Sequence, residues 1–467
     1  MMPDDRESEE HCDVPMPFRR RLIFVSFLAP FVGAGAGFID AIFRLALEQA
    51  DRVRNALIVR GHDAHALGFV LMLIGCSATA AFGAWLVRRF SSRASGSGIP
   101  QVEAVLHAHL EPLPNNILPV KFFGGLAAIG GGMALGREGP SVQMGAVVAH
   151  LVGQFFRQAE EEMRMLLAAG AGAGLAVAFN APIAGAVFVL EELVRRFEPR
   201  MAIVALGASS TAILISRLFL GDAPDFHVAV LVSKAAATGP LPYADEATWG
   251  LYIILGAITG VAASLYNRSI IGALVLTERF NRVPVEAKAA AIGAVVGLVG
   301  WFAPDLIGGG DNITQNLLAG GVAISAIPLG FAVRFCLGPL CYAARTPGGL
   351  FAPLLVLGAQ LGLFCGAVCA WMFPHLGIAP EGFAVVGMAA LFSGIVQAPV
   401  TGIVLVTEMT AAFTTLLPML AACFASMLVA HLLRTTPIYD SLLERLIREA
   451  RAIMAKSPSS ETVAAPR

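Results

Sequence analysis

The chain has 467 residues, 57% of them hydrophobic and only 14% charged, with a formal net charge of −1 at pH 7. A soluble domain carries about a quarter charged residues, so this composition belongs to an integral membrane protein, and a charge so near zero offers nothing to a nucleic acid. The apolar residues run together instead of alternating over roughly ten residues as in an outer-membrane barrel. The spans are therefore helical, each needing roughly 20 residues.

In chain order, residues 1–18 are polar and acidic, lack a signal-peptide pattern and read as an N-terminal tail. Apolar stretches that qualify as spans, or come close, lie at 22–45, 67–87, 117–135, 201–219, 249–265, 287–301 and 383–406. Arg19, Arg20 and Arg21 precede the first, Arg88, Arg89 and Arg93 follow the second, and Arg445, Arg448, Arg451 and Lys456 follow the last. The positive-inside tendency then places both termini in the cytoplasm. A polar stretch at 221–247 separates a first transmembrane half, 19–220, from a second, 248–440, and 441–467 forms a C-terminal tail.

The halves share a pattern. "GREGP" gives Gly136 and Pro140, followed by Gly145; "GGLFAP" gives Gly349 and Pro353, followed by Gly358. Further on, Ala181-Pro182, Gly185 and Glu191 recur at the same spacing as Ala398-Pro399, Gly402 and Glu408. Repeats carrying Gly/Pro-interrupted apolar segments point to a transporter with discontinuous helices meeting near the midplane. The segments 140–150 and 351–363 read as too short or too broken for full spans. The "GAGAG" runs at 33–37 and 170–174 lack a βαβ context and read as close helix packing.

Pro140 fits the first helical turn, where its missing N–H costs nothing. Glycines ahead of it let backbone approach a ligand, and a helix start favours an anion. "GGLFAP" repeats the device, and "GSGIP", Gly96 to Pro100, is a third instance. Three such loops suggest one shared anion site; the alternative is three ordinary helix breaks. A carboxylate within a membrane is costly and usually faces a cavity. Glu138 is an anion tethered beside an anion site, so it can occupy that site until protonation releases it. Arg137 would orient backbone or balance charge. Glu191 and Glu192 do not face the same way on a helix, so at most one is a second proton carrier; an interfacial position is the alternative. Glu103, Lys121 and Glu408 read as structural ion-pair residues.

Cys76, Cys336, Cys341, Cys365, Cys369 and Cys423 lie in apolar segments and read as small buried hydrophobes. The nine histidines form no ligand cluster and default to solvated or interfacial positions. No metalloprotease, P-loop or nucleophile-elbow motif is present, so no enzyme activity, metal or cofactor is expected.

"GSGIP", "GREGP", "GGLFAP" and a late tyrosine in "TPIYDSLL", Tyr439, together and in this order resemble the CLC family of chloride channels and chloride/proton antiporters. The likeness covers roughly residues 19–443. It implies an all-α fold of two inverted halves with many tilted and re-entrant helices, assembled as a homodimer with one anion pathway per subunit. It implies that Ser97 and Tyr439 donate hydroxyls to a central chloride, with main-chain amides near Gly98, Ile99, Leu350 and Phe351 completing the shell. Glu138 maps to the external gate, and Glu192 to the internal proton acceptor of exchangers, which favours a proton-coupled antiporter of a bacterial inner membrane over a passive channel. Serine in the first motif implies chloride over nitrate, and the fluoride-selective branch has different motifs. Few residues follow Leu443, so nucleotide-binding CBS domains are not expected. The dimer face is expected on the apolar helices near 183–190, 203–213, 403–415 and 424–433.

Overall fold

The computed structural model describes residues 18–222, 225, 226, 228 and 246–456; all but the last residue of the tail expected at 1–18, and most of the stretch between the halves, lie outside the described residues. Within them the fold is helical, apart from two isolated bridges that pair Gly96 with Pro347 and Gly136 with Gly349. Nine of the described helices are long and apolar enough to cross a membrane.

The first half runs through α1 (Phe18–Asp63), α2 (His65–Phe90), α3 (Ile99–Leu106), α4 (Ile117–Gly130), α5 (Glu138–Phe155), α6 (Glu160–Phe179), α7 (Pro182–Phe188) and α8 (Pro199–Leu220). The second runs through α9 (Glu246–Arg279), α10 (Val285–Phe302), α11 (Asp311–Leu318), α12 (Ile327–Tyr342), α13 (Phe351–Met372), α14 (Pro380–Val396), α15 (Pro399–Thr410), α16 (Leu416–Leu432) and α17 (Ile438–Lys456). With 46 residues α1 is more than twice the length that hydrocarbon requires, so it must tilt or project from a face. With eight, seven and eight residues, α3, α7 and α11 cannot span. α3 is buried along its whole length, among protein, where broken backbone is tolerated.

The repeated sequence signals have the same physical content in both halves. α6 ends at Asn180 and α14 at Gln397, both in the left-handed region, at φ 49° and 65°. The next residues, Ala181 and Ala398, are pushed out of the helical region by the prolines that open α7 and α15. Gly145 and Gly358 also do matching work. A Cβ at Gly145 would overlap the carbonyl of Gly170 on α6, and one at Gly358 the carbonyl of Gly387 on α14. The "GAGAG" glycines pack as expected: Gly33 and Gly37 against the α8 backbone, Gly170 and Gly174 against α5, and Gly172 against Gly185.

Several expectations need correction. The stretch 383–406 is not one span: Gln397 and Pro399 break it between α14 and α15. The stretch 117–135 ends as a helix at Gly130, where glycines 130–132 lead into the loop before α5. Conversely, 351–363 is part of a continuous 22-residue helix, because Pro353 sits in its first turn. α6 and α12 were not among the spans named; Glu160, Glu161, Glu162 and Arg164 at the start of α6 and the buried Arg334 in α12 dilute the apolar signal. Cys336 is exposed, Cys365 and Cys369 are half-buried, and Cys76, Cys341 and Cys423 are buried. His150 is buried, contrary to the default for histidine. The boundary drawn at 440 falls in the first turn of α17.

Candidate functional site

Main-chain hydrogen bonds tie the three glycine loops together. The Gly96 amide donates to the Thr346 carbonyl at 3.1 Å, and the Gly348 amide to Gly96 at 3.1 Å. Gly136 and Gly349 exchange both of theirs, at 2.9 and 2.6 Å. The Gly96 carbonyl also accepts from the Lys121 Nζ at 2.6 Å. Lys121 is therefore a loop anchor with a carbonyl partner, not the ion-pair residue expected. Glycine is required where the loops meet. Gly98 lies at φ 90°, and a Cβ there would sit 2.6 Å from the Gln143 Oε1. A Cβ at Gly139 would sit 2.6 Å from the Ser97 Oγ.

The starts of α3, α5 and α13 consequently converge, bringing their unpaired amides and positive dipole ends together. Ser97, Ile99, Leu350 and Phe351 are all at most 1% exposed. Tyr439, on the first turn of α17, is fully buried, with its ring 5.9 Å from that of Phe351. Phe351 in turn packs against Phe392 at 4.8 Å and Phe188 at 5.8 Å. The Ser97 and Tyr439 hydroxyls lie beside each other, buried, and neither makes a well-formed hydrogen bond to a protein group. An orphaned hydroxyl costs about 1–3 kcal/mol, so two of them facing one cluster of helix starts mark a place suited to a desolvated anion.

Glu138 opens α5 and is 1% exposed. Its carboxylate lies against the amides of its own residue and of Ala352, and its Oε2 has no hydrogen-bond partner. On the other side Glu138 borders a cavity of about 330 Å³ lined by Arg44, Arg54, Arg137, Asp225, Asp311 and Gly308 among others. Arg137 Nε donates to the Ala178 carbonyl at 3.0 Å and its Nη1 pairs with Asp311 at 2.9 Å. The cavity wall at 308–310 is held by Arg334, a buried arginine that donates to Gly308 at 2.6 Å and to Gly309 at 2.9 Å. Sequence reasoning passed over Arg334; an arginine inside an apolar helix was the available signal.

Glu191 and Glu192 diverge as adjacent residues must. They sit in a π-turn, Val189–Leu193, closed by the Val194 amide on the Val189 carbonyl at 2.9 Å. Such turns commonly mark functional positions. The Glu191 carboxylate accepts from the Val400 and Thr401 amides at the start of α15, at 3.1 and 2.6 Å. Its counterpart Glu408 accepts from Ile183 and Ala184 at the start of α7, at 3.2 and 2.8 Å. Each half thus caps the short helix of the other, and Glu408 is a cap, not an ion-pair residue.

Glu192 points elsewhere. It is 4% exposed, its Oε1 accepts no hydrogen bond, and Arg195 stays 3.9 Å from that oxygen while its Nε donates to the Glu192 main-chain carbonyl at 3.3 Å. Arg195 binds Glu103 at 3.0 Å, as the ion-pair expectation for Glu103 requires, and also binds Asp440, the neighbour of Tyr439. Tyr439 lies in the electrostatic field of both Glu192 and Glu138. Arg195 and Asp440 were not foreseen as partners of this cluster, because nothing local in the sequence relates α17 to the π-turn.

The comparisons with known proteins agree with this geometry. A family model described as voltage gated chloride channel matches residues 78–431. The H(+)/Cl(-) exchange transporter ClcA of Salmonella schwarzengrund is 36% identical over 440 residues, covering 92% of this chain and 90% of its own. The protein of the same name from Citrobacter koseri is 36% identical over 436 residues, covering 91% and 89%. Among solved structures, a slow cyanobacterial Cl-/H+ antiporter superposes with a TM-score of 0.84 at 31% identity, over 92% of this chain and 98% of its own. A eukaryotic CLC transporter shares the fold at a TM-score of 0.74 and 22% identity, over 92% and 74%. The protein belongs to the CLC family of chloride channels and chloride/proton exchangers.

Proposed function

We propose that the chain is a secondary active transporter that exchanges chloride for protons, with Glu138 competing with chloride for the anion site. The observation that carries this reading is the pair of orphaned hydroxyls, Ser97 and Tyr439, at three converging helix starts, with the buried Glu138 carboxylate between them and the outer cavity. Chloride would take the Ser97 and Tyr439 hydroxyls and the amides near Gly98, Ile99, Leu350 and Phe351. A charged Glu138 is a like anion and excludes it; a proton arriving through the outer cavity neutralises the carboxylate and frees the site. Glu192 would load protons from the cytoplasmic side, with Arg195, Glu103 and Asp440 setting the local charge. A passive channel has no use for a second buried carboxyl with an unpaired oxygen at that position, so the channel reading is not favoured.

The relatives are exchangers, which supports a transporter rather than an enzyme. We read the assembly as a homodimer in a bacterial inner membrane, with both termini cytoplasmic. Apolar side chains on α7, α8, α15 and α16, such as Ile183, Ile203, Val400 and Phe424, are exposed at 53%, 54%, 44% and 71% and are available to a second copy. The test is flux in liposomes: an outward chloride gradient should drive protons inward against their own gradient. Chloride movement without proton movement would leave only the channel.

A further inference from the structure

The Glu138 cavity is not the only large recess. A cleft of about 490 Å³ opens on the opposite side of Arg54, between the C-terminal part of α1, the first turns of α2 and the end of α4. Its walls are apolar or small, among them Leu57, Leu71, Met72, Gly75 and Gly130. Leu57 and Leu71 at its lips are 60% and 58% exposed, so in a bilayer the cleft opens on lipid. Glycines keep it open: a side chain added at Gly75 would meet nothing within 4 Å.

Two arginines line the cleft, and they differ. Arg54 is occupied by Asp51 at 2.6 Å and by the Gly130 carbonyl. Arg60 has no partner among the described residues, although Asp63 lies one turn away. The depth of Arg60 is marked independently. The α1–α2 turn at Asp63–His65 follows it directly, and His62 stacks on Trp301 at 4.2 Å while its Nε2 donates to the Trp301 carbonyl at 3.2 Å. Tryptophan beside a helix turn is the usual occupant of the membrane–water boundary. An apolar slot open to the acyl region, ending at an unpaired cation at headgroup depth, is complementary to one kind of molecule.

We propose that this cleft binds an anionic phospholipid, with an acyl chain between α1, α2 and α4 and its phosphate on Arg60. Electrostatic attraction between a basic side chain and anionic headgroups supplies the preference, and burial of the chain against apolar walls supplies the rest. The proposal does not depend on the transport reading.

The test is native mass spectrometry of the purified full-length protein with phosphatidylglycerol or phosphatidylcholine added in detergent. The parent protein should retain phosphatidylglycerol at least fivefold better than phosphatidylcholine. Arg60→Ala, an exposed substitution that breaks no protein contact, should lose that preference. Gly75→Leu should fill the slot and lose retention of both lipids, with elution volume and exchange activity unchanged. Equal retention of the two lipids by the parent overturns the proposal. So does a preference that survives Arg60→Ala, or full phosphatidylglycerol retention by Gly75→Leu.

Discussion

Glu191 and Glu192 are neighbours of identical chemistry, and the structure gives them different surroundings. Replacing each by glutamine separates the two. Glu191 accepts three hydrogen bonds, from the Val400 amide at 3.1 Å and from the Thr401 amide and hydroxyl at 2.6 and 2.7 Å. A glutamine keeps one acceptor oxygen, loses the charge that strengthens the remaining bonds, and sets an NH₂ donor against an amide donor. Hydrogen bonds to a charged group contribute about 1.5–3 kcal/mol, against about 1 for neutral ones, so Glu191→Gln forfeits roughly 3 kcal/mol. That is on the order of a hundredfold in a folding equilibrium. Thermal denaturation in detergent, followed by the monodisperse fraction on size exclusion, should show a drop of a few degrees. Whatever survives should still couple protons to chloride. Glu192, with an unpartnered oxygen and Arg195 at 3.9 Å, has little to lose structurally. Glu192→Gln should melt with the parent, conduct chloride and move no protons. If Glu191→Gln melts with the parent, or is the variant that stops protons, the assignment of roles is wrong.

Two other outcomes follow from the same geometry. Ser97→Ala removes a hydroxyl that makes no well-formed protein hydrogen bond and lies beside that of Tyr439. Calorimetry should then find chloride affinity lower by about ten- to a hundredfold, the equivalent of one charge-assisted hydrogen bond, with the fold intact; unchanged affinity contradicts the chloride shell. Arg334→Met strands the buried Gly308 carbonyl and the half-buried Gly309 carbonyl, costing about 1–3 kcal/mol for the buried group left unpaired. Chloride flux should fall at least tenfold as the cavity beside Glu138 loses its shape, and parental flux and melting would show that the wall does not need its arginine.

Much of this was legible in the sequence because the informative residues are glycine and proline, whose backbone demands are local. Gly136, Pro140, Gly349 and Pro353 announced broken helices, and the Ala181-Pro182 and Ala398-Pro399 repeats announced matching breaks. Four ordered motifs then carried the family resemblance, and with it Ser97, Glu138, Glu192 and Tyr439. What sequence could not give is partnership across distance. The reciprocal capping of α7 by Glu408 and α15 by Glu191 joins residues more than 200 positions apart. Lys121 was misread because its partner is a carbonyl, and no side-chain pattern advertises a carbonyl. Arg195 and Asp440 meet only because α17 returns to α3 and the π-turn. The span at 383–406 failed for a simpler reason: hydropathy sums over Gln397 and Pro399, while backbone geometry does not.

The central claim is that a carboxylate at 138 holds the anion site until a proton neutralises it. Paired chloride and proton flux on Glu138→Ala in liposomes tests this most directly. With the tethered anion removed, chloride should run continuously and proton movement should cease at every pH. A variant that stops chloride as well, or that still drives protons uphill, contradicts the account.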